Sequence, residues 1–351
     1  MTTSRYANHR GLSRSAALLL SVIVAVAAIV RVPGSAAADT ESAPLSPNGS
    51  HLDRIETRGH DAIDMYVHSA AMNTDIRLQV LRAVDPTRPA PTLYLLNGSD
   101  GGVGGGWYDE TDVVRFFADK QVNVVIPIGG AGSYFTDWRS EDPTLGRPRW
   151  TTFLTRELPP IVDATLNGSG VNAIAGISMG GTAVFQLAEA APGLYRAIAS
   201  YSGCVPTSDP AGQAFVALVV ARFAGSPTNM WGPPDDPEWT AKDPALHVDL
   251  LRGTEIYVSV GSGLPGPLDT PTGVRGDTQR LTWQLLFGSP LEVLANDCTH
   301  RLRDRLHDLA IPATFDFRPT GTHSWGYWQQ DLHNSWPRLE AALSGSNRAG
   351  R

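Results

Sequence analysis

Residues 171–188 read VNAIAGISMGGTAVFQLA, and this stretch decides the fold. Its opening, residues 171–175, is nearly continuously apolar, as a strand covered on both faces must be. From Thr182 onward it carries a helical pattern. Between the two stands Gly176-Ile-Ser178-Met-Gly180, the G-x-S-x-G spacing of a nucleophile elbow. A serine on a sharp strand-to-helix turn needs glycines on either side, because the backbone crosses there without room for Cβ atoms. The helix N-terminus then favours negative charge developing beside the serine. In a chain with 35 glycines the five-residue pattern recurs by chance. The strand before it and the helix after it make Ser178 a candidate nucleophile.

Working outward, residues 92–96, 123–127 and 255–260 are also apolar runs of strand length. Helical patterns at 111–119, 151–163, 182–190 and 275–287 fall between them as crossovers. This alternation predicts an α/β fold with a mostly parallel central sheet and helices on both faces, which the elbow specifies as an α/β-hydrolase. Residues 65–69 and 75–81 alternate polar and apolar, the mark of half-buried antiparallel strands at a sheet edge, and 314–317 is the last strand. The glycine-rich loop 101–106 follows a central strand. It lacks both G-x-G-x-x-G spacing and a P-loop lysine, so it signals a close backbone approach to a ligand or neighbour rather than a phosphate site.

The N-terminus predicts export. Arg5, Arg10 and Arg14 precede an apolar run from Ala16 to Val30, closed by Arg31, Pro33 and Gly34 before Ala36-Ala37-Ala38. The run is short of the roughly 18–20 residues a membrane span needs, so residues 1–38 read as a cleavable signal peptide, with an uncleaved anchor as the alternative. Residues 39–50, rich in Ser, Pro, Ala and Asn, read as a flexible linker, and 51–345 as a single domain. A secreted or envelope-associated monomer without a span after leader cleavage is the expected product.

The formal net charge of -7, with no basic run beyond the leader, argues against nucleic acid as a partner. Two cysteines, Cys204 and Cys298, lie in the exported part, where a disulfide is permitted; two buried thiols are the alternative. With no C-x-x-C or H-E-x-x-H, no metal or other cofactor is expected.

A serine hydroxyl needs a base, and this fold places the acid and then the histidine after the nucleophile. His323 leads, in a loop after the last strand; His300, His307 and His333 lie in charged helical surroundings and His247 is less well placed. Asp209, Asp235, Asp243, Asp269, Glu292 and Asp297 all satisfy the order as acid, and a loop after strand 255–260 favours Asp269 or the region beyond it. The oxyanion hole would use the backbone N–H groups of Met179 and Ser99, the latter from the loop Asn97-Gly98-Ser99-Asp100. Trp107, Trp138, Trp150, Trp231 and Trp239 read as core fillers, while Trp325, two residues past His323, is expected at the cleft. The run 214–220 suits either an acyl channel or an ordinary buried helix.

Several motifs together resemble the secreted mycolyltransferases of the antigen 85 type. They are Tyr94-Leu-Leu-Asn-Gly98, Ile126-Pro-Ile-Gly-Gly130, Ser133-Tyr-Phe-Thr-Asp-Trp138, Thr152-Phe-Leu-Thr-Arg-Glu-Leu-Pro159, Tyr201-Ser-Gly203, Asn229-Met-Trp-Gly-Pro233 and Gly321-Thr-His-Ser-Trp325, besides the elbow. The resemblance spans Leu93 to Trp328. It implies that Glu292, in a Leu-Glu helix start before the histidine, is the acid, and that an acyl-Ser178 intermediate passes a long-chain acyl group between sugar esters. Water as acceptor would make the same site a carboxylesterase, and the family also has non-catalytic, matrix-binding members. Where such relatives carry Asp-Gly-Leu-Arg this chain has Asn97-Gly98-Ser99-Asp100, so Asn97 and Asp100, with Trp325, are the residues expected to meet an acylated sugar or lipid ester.

Overall fold

The computed structural model describes residues 45–59 and 62–345. The expected leader therefore lies outside the described residues. Nine strands form one sheet: β1 (His51–Thr57), β2 (Ala62–Ser69), β3 (Thr74–Leu81), β4 (Ala90–Leu96), β5 (Asn123–Ile128), β6 (Gly168–Ile177), β7 (Tyr195–Tyr201), β8 (Glu255–Val260) and β9 (Thr314–Phe317). Their order is β1-β2-β3-β5-β4-β6-β7-β8-β9. β1 to β3 are antiparallel and β3 meets β5 antiparallel, whereas every pairing from β5 through β4 to β9 is parallel. The doubly wound, mostly parallel sheet expected of an α/β-hydrolase is what the chain forms.

Five helices matter for the site: α1 (Leu158–Leu166), α2 (Met179–Ala190), α3 (Pro210–Arg222), α4 (Ser289–Asp308) and α5 (Trp325–Leu343). The central strands sort their side chains by size. On one face Tyr94, Ile174 and Ile198 pack with Phe185 of α2 and Leu302 of α4. On the other, β6 and β7 present Ala173, Ala175, Ala197 and Ala199, and Trp328 and Trp336 of α5 pack into the same cluster. Small strand residues leave room for indole rings, so the second core reaches interior density through the helix rather than the sheet.

Several expectations need correction. Residues 45–50 are not a loose linker. Leu45 bridges to His51, Ser46 and Ser50 are buried, and the Asn48 amide donates to the buried carboxylate of Glu157 at 2.5 Å. Glu157 also accepts from Ser69 Oγ at 2.6 Å and the Ala71 N–H at 2.9 Å, so the start of the fold is drawn in to answer a buried charge. The segment read as a crossover at 275–287 is instead Thr278–Trp283 followed by a π-turn, Gln284–Gly288, that runs into α4. Its Trp283, Leu285, Leu286 and Phe287 face solvent rather than the sheet. Residues 214–220 lie in α3, with Phe215, Val216, Val219 and Val220 buried. β1 and β7 were not recognisable as strands.

The two cysteines form a disulfide, Cys204–Cys298, with Cα atoms 5.0 Å apart. It closes a loop across a sequence separation of 94 residues, which removes much freedom from the unfolded chain. Replacing both cysteines with alanine should lower the unfolding free energy by about 2–5 kcal/mol, read as a drop in urea midpoint. An unchanged midpoint would show the bridge to be thermodynamically idle.

A second prediction concerns Glu189 near the end of α2. Burial, with Asp243 and Asp249 adding repulsion, lifts its carboxyl from 4.5 to about 10. A folded value above the unfolded one means stability is fully present below the unfolded value and is lost as pH rises through the folded one. Glu189→Gln should therefore gain stability relative to the parent chain as melts are taken from mildly acidic to alkaline pH. A constant difference would contradict this.

Candidate active site

Ser178 sits where β6 turns into α2, at φ 52° and ψ -121°, a backbone conformation that only a tightly determined site sustains. A Cβ at Gly176 would fall 2.6 Å from the Gly180 carbonyl oxygen, which is why the elbow excludes side chains there. Its backbone is pinned by the Ser178 N–H, which donates to Tyr201 O at 2.8 Å.

The candidate base reaches the serine. Ser178 Oγ lies 2.8 Å from His323 Nε2, and His323 Nδ1 lies 2.8 Å from Glu292 Oε2. With Nδ1–H donating to the carboxylate, the neutral ring keeps a lone pair on Nε2 to accept the serine proton. The His323 N–H donates to Gly288 O at 3.2 Å, fixing the loop against the start of α4. The Trp328 ring stands edge-on to the imidazole at 4.9 Å.

Glu292, in the first turn of α4, is wholly buried, and its Oε1 accepts from Ser202 Oγ at 2.8 Å, the Gly261 N–H at 2.6 Å and Arg318 Nη2 at 3.3 Å. Ser202, at φ 55°, is a second left-handed serine, and its hydroxyl in turn accepts from Trp328 Nε1 at 3.0 Å. Asp269, which the strand-end argument favoured as acid, supports the histidine loop instead. It accepts from Thr322 Oγ1 at 2.5 Å, the Tyr327 hydroxyl at 2.8 Å and the Gly266 N–H at 2.9 Å. Among the described residues none of the other carboxylates considered is hydrogen-bonded to His323.

The Met179 N–H opens α2 and so has no acceptor within the helix. The loop carrying Ser99 touches the elbow, since a Cβ at Gly98 would lie 3.7 Å from Ser178 Cβ. Among the described residues the Ser99 N–H has no hydrogen-bond acceptor, so both expected donors are free for an oxyanion. A feature missed in the sequence supports Met179: its Sδ accepts from the Tyr134 N–H at 3.3 Å, and Tyr134 and Phe135 both have positive φ, 55° and 48°. Two successive non-glycine residues in that region leave no periodicity to detect.

Asn97 is misassigned as a sugar contact. It is fully buried, donates from Nδ2 to Pro127 O at 3.2 Å and accepts from the Trp107 N–H at 3.2 Å. The glycine-rich loop closes over it: a Cβ at Gly106 would stand 2.6 Å from Asn97 Oδ1, and one at Gly102 would run into the amide nitrogen. The neighbour that loop approaches is Asn97 itself. Asp100 is partly exposed and caps the same loop, accepting from the Gly102 N–H at 2.9 Å. Trp325 is partly exposed beside His323, its ring 5.5 Å from Trp107 and 5.3 Å from Trp328, whereas the other five tryptophans named above are buried.

Elbow, histidine and buried acid on a doubly wound sheet define a serine hydrolase of the α/β class. The Esterase family model, described as "Putative esterase", matches residues 69–339. The diacylglycerol acyltransferase/mycolyltransferase Ag85A of Mycobacterium leprae is 29% identical over 333 residues, covering 92% of this chain and 91% of that one. The Ag85A of Mycobacterium ulcerans is 30% identical over 300 residues, covering 82% and 83%. The crystal structure of Mycobacterium tuberculosis MPT51 (FbpC1) superposes with a TM-score of 0.67 at 24% identity, over 81% of this chain and 100% of that one. The chain belongs to the esterase family and, within it, to the antigen 85-type mycolyltransferases.

His323→Ala should lower ester turnover by roughly 10⁴-fold or more while leaving the melting curve in place. Turnover within tenfold of the parent would remove His323 from the role of base.

Proposed function

We propose that the chain is an exported acyltransferase that carries long-chain acyl groups through an ester on Ser178. In this reading residues 1–38 are the leader, the mature chain acts as a monomer in the envelope, and its substrates are acylated sugars or lipid esters. The observation that carries it is the Ser178–His323–Glu292 relay, with 2.8 Å at each step. His323 takes the hydroxyl proton as Ser178 Oγ bonds to the ester carbonyl carbon. Negative charge builds on the carbonyl oxygen, facing the Met179 and Ser99 N–H groups. The imidazolium returns the proton to the departing alkoxide, leaving acyl-Ser178. An acceptor hydroxyl, deprotonated by His323, then attacks the acyl carbon and releases Ser178.

The rim suits an acyl chain. Leu264, Leu286, Phe287 and Val293 are exposed on segments adjoining Gly288 and Glu292, and Leu264 follows Gly263, whose N–H donates to the Gly321 carbonyl at 3.0 Å. No helix of the described residues is long and apolar enough to cross a membrane. A second reading, ester hydrolysis, is favoured by the loop at 97–100: Asn97 faces the core and Asp100 is tied to Gly102, so the loop offers no cationic donor to a sugar acceptor.

Incubating the mature protein with a trehalose acyl ester, with and without free trehalose or glucose, and following protein and products by mass spectrometry separates these readings. Acyl-Ser178 with acyl transfer to added sugar is the expected result. Free fatty acid alone would establish an esterase, and no acylation of Ser178 would overturn the catalytic reading. Trp325→Ala should weaken turnover of long-chain esters more than short ones, and an equal loss for both would place Trp325 outside the acyl path.

A further inference from the structure

Glu292 has a cation at its back. Arg318, just past β9, reaches Glu292 Oε1 through Nη2 at 3.3 Å and pairs through Nη1 with Asp331 of α5. Both carboxylates are completely buried, and the guanidinium side chain is 11% exposed. A guanidinium this close to the acid of a relay is a liability, because it stabilises the carboxylate charge that His323 must feel when it becomes an imidazolium. Asp331 lies on the other side of that guanidinium. It touches neither His323 nor Ser178, and a buried carboxylate without a role is a cost that a fold does not need.

We propose that Asp331 is a positioning residue for acyl transfer, engaging the charge of Arg318 so that the charge of Glu292 is left to His323. The inference rests on the reading of Ser178, His323 and Glu292 as the relay. One cation lies between two anions, so the cluster is singly negative while His323 is neutral. It becomes neutral when the imidazolium forms. Were Asp331 uncharged, the same proton transfer would take the buried cluster from neutral to positive, the less favourable direction in a low-dielectric site.

The remaining groups do not blur this balance. From β7 and β8, the phenols of Tyr201 and Tyr257 are pushed up by burial and stay neutral. Asp316 of β9 accepts from the Tyr257 hydroxyl at 3.2 Å. The Tyr327 ring, also neutral, lies 5.4 Å from the guanidinium carbon, and Asp269 is engaged by Thr322 and Tyr327. Ser178 is bonded to the other ring nitrogen of His323, and the Trp328 ring stands edge-on to the imidazole. Burial pushes the Asp331 carboxyl up, and its pair with Arg318 pulls it back down.

The test is the pH profile of Ser178 acylation by p-nitrophenyl butyrate, read on the mature protein for the parent chain, Asp331→Asn, and Asp331→Asn combined with Arg318→Leu. Asp331→Asn leaves Arg318 unbalanced and disfavours the imidazolium. Its acidic limb should move down by about one pH unit. Its kcat should fall about tenfold with KM unchanged, a part of the roughly 10²- to 10⁴-fold that a general base supplies. Removing Arg318 as well should return the limb to the parent position. An Asp331→Asn limb that coincides with the parent overturns the proposal, as does a lowered melting temperature with an unmoved limb, which makes Asp331 a packing partner only. Failure of the parent chain itself to form acyl-Ser178 is a separate outcome, which overturns the catalytic reading before any variant is compared.

Discussion

A carboxylate with no solvent must have its charge answered where it stands, and the architecture around Glu292 follows from that requirement. Its four partners come from four segments: Ser202 after β7, Gly261 after β8, Arg318 after β9, and His323 in the loop beyond. Because β7, β8 and β9 run parallel, their carboxyl ends share one edge of the sheet, where loops can converge. An antiparallel arrangement would have sent every second loop to the far edge. The disulfide ties the loop two residues past Ser202 to α4 six residues past Glu292, so donor and acceptor are linked covalently as well as by hydrogen bonds.

The helix that fills the second core also builds the site. α5 inserts Trp328 and Trp336 against the alanine face of β6 and β7, and Trp328 continues inward to donate to Ser202 and to stand edge-on to His323. One turn further on, the same helix contributes Asp331 to Arg318. Packing and polar order are therefore one commitment. The small residues that admit the indole rings also bring a buried hydrogen-bond chain within reach of the imidazole.

Ser178 and His323 could be found in the sequence because their signals are local: a strand, a glycine-flanked serine and a helix, then a histidine after the last strand. The acid could not. Asp269 and Glu292 both satisfy chain order, and what separates them is orientation and burial, which only the folded chain expresses; the resemblance pointed to Glu292 where the residues left the choice open. β7 was missed because Ala197 and Ala199 lack the bulk and branching that mark a strand. Leu286 and Phe287 fell in a segment read as a crossover helix, and nothing along the chain says that they face solvent. Asn97 was read as a sugar contact because it opens the stretch where the resembling relatives carry Asp-Gly-Leu-Arg. Its burial is the work of a loop several residues later.

That loop also constrains which side chain position 97 can carry. Both ends of the Asn97 amide are occupied, one by Pro127 O and the other by the Trp107 N–H, and glycines at 102 and 106 leave no slack around it. An aspartate there would set an oxygen lone pair against the Pro127 carbonyl. Any larger residue would lift the loop off the end of β4. The segment from Asn97 to Trp107 is thus tied together at 97, 102 and 106, and a larger side chain at any of these three positions shifts the loop as a unit instead of one residue of it.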